Sequence, residues 1–463
     1  MSTIALILAA GLGKRMQSDL PKVLHPILGD PALLWVLRAL PAEVAAAVVV
    51  VHHGRSQVEA ALAGWAGAGL LPCPVTTVDQ GEPLGTGHAA QQAAAELDRL
   101  GCERVVILCG DVPLIRPGTV ARLARSGAVL LAMDLEDPAG YGRVVQRADG
   151  TLEAVVEHKD ASEAVRRIRR VNGGAYGLPW AGLKRALGGL SNGNAQGEYY
   201  LTDAVVEVAG RQPVAVELCE PAEMIGMNSR ADQALLQAHA RDRINAGWME
   251  RGVTFLDPTG TLVGPRAELA QDVLLASGVS LAGAVALGPG TQVGPGCVLT
   301  DCSVGAGVLI RPYCVLDRSQ VGPGCQLGPF AHLREGTLLE SGVHLGNFVE
   351  TKKATLRSGA KANHLSYLGD AEIGERSNIG AGLITCNYDG FNKSFTSIGN
   401  DVFVGSDTQL VAPVRLGDGA IIGAGSTITS DVPAGALALT RAPLVLKEGA
   451  ADRLRQKQKA RKP

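Results

Sequence analysis

Aromatic residues are scarce in this chain: Phe, Trp and Tyr together make up 4% of its 463 residues. No apolar run reaches the roughly 18 residues of a membrane span, so no membrane partner is expected. The N-terminus opens directly into a strand-like segment, Thr3 to Ala10, without the basic region and small-residue cleavage site of a secretory signal. Neither sign of charge dominates. Lys plus Arg is 43 against 45 for Asp plus Glu, a net charge of −2, which argues against a nucleic-acid coat or a polybasic membrane binder. The nine cysteines are odd in number and include no C-x-x-C pair, which excludes a disulfide framework and a zinc-site spacing. A reducing cytoplasm is the expected compartment.

Glycine is abundant, and unevenly spread: 27 lie in residues 1–230 and 30 in the shorter stretch 260–449. The first stretch alternates β and α signals. Short β-branched apolar runs (Thr3 to Leu8, Ala47 to Val51, Val105 to Cys109) are separated by helix-like segments such as Ala89 to Leu97. Continuously apolar strands with helical crossovers predict a Rossmann-like, mostly parallel sheet covered on both faces, with ligands at the carboxyl ends of its strands. From Ala231 to Ala246 there is no Gly or Pro, which predicts a linker helix ending at Gly247. Beyond it a period of six takes over. Ile398, Val404, Leu410, Leu416, Ile422 and Ile428 are spaced six apart; Leu287, Val293 and Leu299 keep the same step, as do Val304, Ile310 and Leu316, then Val321, Leu327 and Leu333. A hexapeptide period predicts a left-handed parallel β-helix with about 18 residues per triangular coil, hence roughly nine or ten coils over 260–437. Its narrow interior accounts for the few rings. Asn387 to Lys393 interrupts the period and is read as a loop leaving the solenoid. The expected domains are 1–229, a linker at 230–250, the β-helix at 251–447 and a basic flexible tail at 448–463.

Two features of the first domain carry chemistry. Gly11 and Gly13 follow the first strand, next to Arg15 and to Pro21-Lys22. Small residues there let backbone N–H groups converge on phosphate, and two cations complete the cradle. The string is neither a Walker A nor a complete Rossmann fingerprint, since Met16 stands at the third glycine position. Cys109-Gly110-Asp111 ends a buried strand, which suits Asp111 to hold Mg²⁺ on phosphates. In the β-helix, Arg334, Lys352, His364, Tyr367, Asn378 and Asn387 are polar groups on an otherwise aliphatic scaffold, and His364 is the candidate general base.

Leu8 to Lys22 resembles the signature of the sugar-1-phosphate nucleotidyltransferases. With Leu84 to His88, Gly140 to Arg143, Val156 to Asp160, Gln196 to Tyr200, Gly346 to Glu350, His364 to Asp370 and Cys386 to Gly390, residues 3–447 resemble a bacterial family. That family joins an N-acetylglucosamine-1-phosphate uridyltransferase to a glucosamine-1-phosphate acetyltransferase for cell-wall precursor synthesis. The resemblance implies that Leu8, Ala9, Ala10 and Gly11 contact UTP, that Arg15 and Lys22 act on its phosphates, and that Gln80, Gly85 and Thr86 read uracil. It places Cys109, Gly110 and Asp111 along the nucleotide and Gly140, Glu157 and Asn172 on the amino sugar. Asp111 and Asn228 become the metal contacts for Mg²⁺. In the β-helix it implies His364 as base, Arg334 and Lys352 on the phosphate of glucosamine 1-phosphate, and Tyr367 and Asn378 on the sugar. Ala381, Asn387, Tyr388, Ser406, Ala424 and Arg441 would contact acetyl-CoA, at sites lying between subunits of a homotrimer. Lys14, Cys109, Gly173, Asn363 and Ser366 depart from the commoner family residues. Two other readings stay open on the residues alone: a β-helix serving only regulation or assembly, and a non-catalytic assembly protein.

Overall fold

The computed structural model describes residues 2–125, 127–194 and 196–460, and the chain divides between Ile244 and Asn245 into two compact units. Among the described residues, no helix is long and apolar enough to cross a membrane.

In the first unit the apolar runs become strands whose successive side chains enter opposite cores, as a pleated strand demands. Leu6, Val48, Ile107 and Leu130 pack on one face of the sheet, and Ile7, Val49, Leu108 and Leu131 on the other. The sheet runs Val214–Leu218, Ala128–Asp134, Arg170–Pro179, Arg104–Cys109, Thr3–Leu8, Val44–Val51, Val75–Asp79. Along this path all neighbours are parallel except Arg170–Pro179, which is antiparallel to the strands on either side; off the path, Arg143–Gln146 pairs antiparallel with both Arg170–Pro179 and Leu152–Val156. Leu8 pairs with Cys109, so two strands end side by side where the phosphate loop and Asp111 begin. The helix expected over Ala89 to Leu97 is two helices, Thr86–Gln92 and Ala94–Arg99, joined at Ala93 with ψ −9°. Ala90, Ala93 and Leu97, spaced i, i+3 and i+7 on one helical face, all stay fully buried across the break.

The linker helix, Arg230–Met249, runs through Gly247 instead of ending there. One interior glycine destabilises a helix by only about 1 kcal/mol, and termination needs more than that. It comes at Gly252, whose φ of +87° allows Gly252 N to donate to Met249 O (3.1 Å) and Val253 N to Trp248 O (3.1 Å). This pair of bonds satisfies the last free carbonyls.

The second unit is a parallel left-handed β-helix. An 11-stranded sheet forms one face and a 17-stranded sheet merges the other two. Every aliphatic residue of the six-residue series is buried, from Leu287 (2% exposed) to Ile428 (5%). Partners one coil away lie 18 residues apart (Leu262 with Ser280) or 17 (Val315 with His332). One coil is longer: Ala371 pairs with Thr396 and Asn378 with Phe403, 25 residues on. Its excess is the Asn387 to Lys393 loop, pinched by a bridge between Tyr388 and Lys393. The basic tail expected at 448–463 carries a helix, Ala450–Lys459, with none of its residues buried. Arg461 and Lys462 lie outside the described residues. All nine cysteines are free thiols.

Candidate active sites

A cavity of about 360 Å³ opens at the carboxyl ends of the central strands of the first unit. Leu8, Ala9, Ala10, Gly11, Lys22, Gln80, Gly85, Thr86, Cys109 and Asp111 line it, all of them expected from sequence, together with Leu12, Val23, Pro83, Ala89 and Glu198, which were not. Gly13 is the glycine the loop requires. Its φ is +59°, and a methyl there would sit 3.0 Å from Lys22 Cβ. Gly11 has no such need, since a methyl at that position would meet Lys22 Nζ only at an ordinary 3.8 Å. Gly110 does not line the cavity; its missing side chain gives room to Ala9, and its N–H donates to Leu8 O at 2.9 Å.

Lys22 Nζ is ion-paired to Asp111 Oδ2 and donates to Asn228 Oδ1 at 3.3 Å. Two side-chain oxygens from distant parts of the sequence thus converge on one cation. Asn228 is fixed by the start of the linker helix. Ser229 caps that helix, accepting from Asp232 N at 3.2 Å, while the Asp232 carboxylate accepts from Asn228 N (3.0 Å) and Ser229 N (2.8 Å), a reciprocal capping box. Arg15 lies in a short 3₁₀ turn, Lys14–Met16, exposed and off the cavity wall. Burial pushes the Cys109 thiol up to about 12, and the Asp111 charge adds to this, so it stays protonated.

Gly140, Glu157 and Asn172 also lie off that cavity, around the next strands. Asn172 N donates to Gly142 O at 2.9 Å, and a methyl on Gly142 would crowd the Glu157 carboxylate. Burial raises the Glu157 pKa; the Thr202 hydroxyl bond at 3.4 Å opposes this, and Asp160 and Asp203 reinforce it. Sequence reasoning missed Tyr176. The pairing register slips between Asn172 and Tyr176, and across that irregularity Asn172 Nδ2 donates to the buried Tyr176 hydroxyl at 2.7 Å. Gly173 leaves no room for a side chain, because a methyl there would meet Leu131 O at 2.9 Å.

On the β-helix, His364 is exposed at the end of strand Lys361–His364, and its Nδ1 lies 2.9 Å from Asn347 Oδ1 on the preceding coil. Ser366 Oγ donates to His364 O at 2.9 Å and holds the following corner. Asn378 pairs with Lys361 on the same face. Arg334, Lys352 and Tyr367 belong to the other sheet, around that corner. Arg334 and Lys352 come directly after Leu333 and Thr351, which pair on consecutive coils, and Arg334 bonds Glu350 at 2.8 Å. The Tyr367 ring folds over Gly369, leaving no space for a side chain there. Ala381, Ser406, Ala424 and Arg441 line successive corners, linked by Asp407 N to Ala381 O (2.7 Å), Gly425 N to Ser406 O (2.8 Å) and Arg441 Nη2 to Ala424 O (3.3 Å). Asn387 is buried and donates to Asp370 Oδ2 at 2.5 Å, whereas Tyr388 on the loop is exposed.

Residues 5–179 match the MobA-like NTP transferase domain, and residues 395–430 match the bacterial transferase hexapeptide (six repeats). The bifunctional protein GlmU of Stutzerimonas stutzeri is 48% identical, over 95% of this chain and 97% of its own. That of Azotobacter vinelandii is 50% identical over 95% and 96%, and that of Bordetella parapertussis 47% over 94% and 96%.

Proposed function

The chain belongs to the family of bifunctional GlmU proteins, and from that premise we propose how its residues divide two transfer reactions between its two units. It is a uridyltransferase and an acetyltransferase in one chain.

The β-helix, residues 251–447, acetylates glucosamine 1-phosphate. The sugar amine attacks the acetyl-CoA carbonyl carbon, forming the C–N bond, while His364 Nε2 takes the proton the amine gives up. The C–S bond then breaks, and the thiolate of CoA leaves and is protonated in turn. An imidazole, which can take a proton through one nitrogen and give it up again, suits this double duty. Arg334 and Lys352 hold the sugar phosphate, Tyr367 and Asn378 the ring. Ala381, Asn387, Tyr388, Ser406, Ala424 and Arg441 carry acetyl-CoA; the line of stacked corners supports an elongated ligand there.

The product, N-acetylglucosamine 1-phosphate, is the acceptor for the nucleotidyltransferase domain, residues 1–229, within the first unit. Its phosphate oxygen attacks the α-phosphorus of UTP, the bond to the bridging oxygen breaks, and pyrophosphate leaves with UDP-N-acetylglucosamine as product. A phosphate oxygen is already deprotonated, so no protein nucleophile is needed. Lys22 and Arg15 offset charge on the transferring and leaving groups. Asp111 and Asn228 would hold Mg²⁺; the convergence of their oxygens on the Lys22 ammonium supports this, and two protein oxygens plus substrate phosphates suit that ion. When bound, the metal neutralises the phosphate oxygens. Gln80, Gly85 and Thr86 face the base, and Gly140, Glu157 and Asn172 the sugar.

We also read the enzyme as a homotrimer. Tyr313, Phe330, Phe348 and Leu365 occupy successive corners of one edge, each about half exposed, and the three rings stack at 5.3 Å spacings. All four adopt positive φ, from 49° to 59°, the corner conformation that Asp272, Arg318 and Asp407 also take; what supports an interface is the run of exposed apolar side chains along one edge. The observation that carries the two-reaction reading is the pairing, in one chain, of the Lys22–Asp111–Asn228 cluster with an exposed imidazole on a hexapeptide scaffold. A mass-resolved assay with glucosamine 1-phosphate, acetyl-CoA, UTP and Mg²⁺, omitting each in turn, tests it. UDP-N-acetylglucosamine should require all four. Its formation without acetyl-CoA would contradict the scheme.

A further inference from the structure

We propose that Asn347 is a positioning residue for acetyl transfer: its side-chain oxygen holds the His364 ring in the tautomer and orientation that leave Nε2 free for the amine. The inference rests on His364 being the base.

The pairing is built by the winding of the solenoid. Strands His344–Asn347 and Lys361–His364 are parallel, and Asn347 and His364 are register partners. Parallel partners on adjacent strands stack their side chains about 4.8 Å apart, which brings Asn347 Oδ1 to 2.9 Å from His364 Nδ1. A neutral imidazole carries one N–H. An acceptor beside Nδ1 places that proton on Nδ1 and leaves the lone pair on Nε2. Free imidazole side chains favour the opposite tautomer, in which Nε2 carries the proton and is no base.

The backbone on both sides of this contact is fixed. Asn347 O accepts from Leu365 N at 3.0 Å, and His364 O accepts from Ser366 Oγ at 2.9 Å and Gly382 N at 3.4 Å. What remains free in His364 is the ring itself. It is exposed, and its bond to Asn347 is its one hydrogen bond among the described residues. Without that bond, ring rotation and the tautomer equilibrium both run against the reactive arrangement. An amide oxygen orients the ring without adding charge beside a site that must take up an anionic sugar phosphate.

The test compares Asn347→Leu, which keeps the approximate shape and removes the acceptor, with Asn347→Asp, which keeps an acceptor. In Asn347→Leu the acetyl-transfer kcat should fall about 10- to 100-fold, by analogy with losing the outer partner that orients a metal-ligating histidine. Both KM values and uridylyl transfer should hold in Asn347→Leu, and Asn347→Asp should recover most of the kcat loss, with KM for glucosamine 1-phosphate raised by the added charge. Solid-state ¹⁵N NMR of histidine-labelled enzyme gives the direct readout, with the His364 signals identified by their loss in His364→Gln. Above the imidazole titration the wild type should be protonated on Nδ1 and Asn347→Leu on Nε2. An unchanged kcat in Asn347→Leu, a KM effect without a kcat effect, or an Nε2–H wild-type ring would overturn the proposal. Full acetyl transfer by His364→Gln would instead remove the base assignment on which it stands.

Discussion

Substituting Gly13 by alanine tests whether the phosphate loop is held in one conformation by its backbone. Gly13 has φ +59° and ψ 25° and starts the 3₁₀ turn that carries Arg15, with Met16 N bonded to Gly13 O at 2.8 Å. An L-residue in this region loses about 1–2 kcal/mol relative to glycine. The added methyl also lies 3.0 Å from Lys22 Cβ, an atom tied to the backbone that cannot swing aside as a side-chain terminus would. Together these place the penalty near 2 kcal/mol. If the loop must keep this shape to present Arg15 and Lys22, kcat/KM for UTP should drop roughly 30-fold. Acetyl transfer should be unchanged. Gly13→Asn should recover part of the loss, because asparagine tolerates the left-handed region while its Cβ keeps the Lys22 contact. The assay is pyrophosphate release from UTP and supplied N-acetylglucosamine 1-phosphate. Wild-type kcat/KM in Gly13→Ala would refute the reasoning, as would an equal fall in both activities.

Three further outcomes are expected. Burial, with Asp160 and Asp203 adding, holds the Glu157 proton in the folded state to higher pH than in the unfolded chain, so stability is lost as pH rises from the ordinary carboxylate value through the raised one. Thermal melts of Glu157→Gln should therefore exceed wild type at pH 7 and match it at pH 4, with KM for the sugar phosphate raised; a gain that persists at pH 4 would exclude this cause. Asp232→Ala removes the capping box beneath Asn228, worth about 1 kcal/mol, so the Mg²⁺ needed for half-maximal uridylyl transfer should rise about fivefold; an unchanged Mg²⁺ titration would separate the cap from the metal site. Phe348→Ser deletes the last ring of the stack, and at about 1.5–3 kcal/mol for burying a large apolar side chain, light scattering of dilute protein should show a shift from trimer toward monomer. A mass unaltered at every concentration would detach the ring ladder from assembly.

The β-helix was legible in the sequence because its period is local. A buried aliphatic every six residues repeats irrespective of what lies one coil away, and all the aliphatic positions of the four series are interior. The contacts between coils were not legible. Whether Asn347 or a neighbour meets His364 depends on coils of 17 or 18 residues, a difference no six-residue pattern carries. In the first unit, the residues lining the cavity were found where they come after a strand end, as Ala9, Ala10 and Asp111 do. Tyr176 escaped because a tyrosine inside an apolar strand reads as core. Only the slip in register between Asn172 and Tyr176 brings its hydroxyl to the asparagine. Gly247 misled for an energetic reason, since about 1 kcal/mol against helix is less than the neighbouring turns contribute. The resemblance named residues for each site but could not distinguish the cavity wall from its surroundings, which is where Glu157, Asn172 and Arg15 lie.

The central claim is that two independent sites share one chain through a diffusible intermediate. The most direct measurement is complementation between Asp111→Ala and His364→Ala in the full assay with glucosamine 1-phosphate, acetyl-CoA, UTP and Mg²⁺. Alone, Asp111→Ala should accumulate N-acetylglucosamine 1-phosphate, and His364→Ala should turn over only when that compound is supplied. Mixed, the two variants should together form UDP-N-acetylglucosamine. A mixture that stays inactive, or a single substitution that abolishes both half-reactions, would contradict the account.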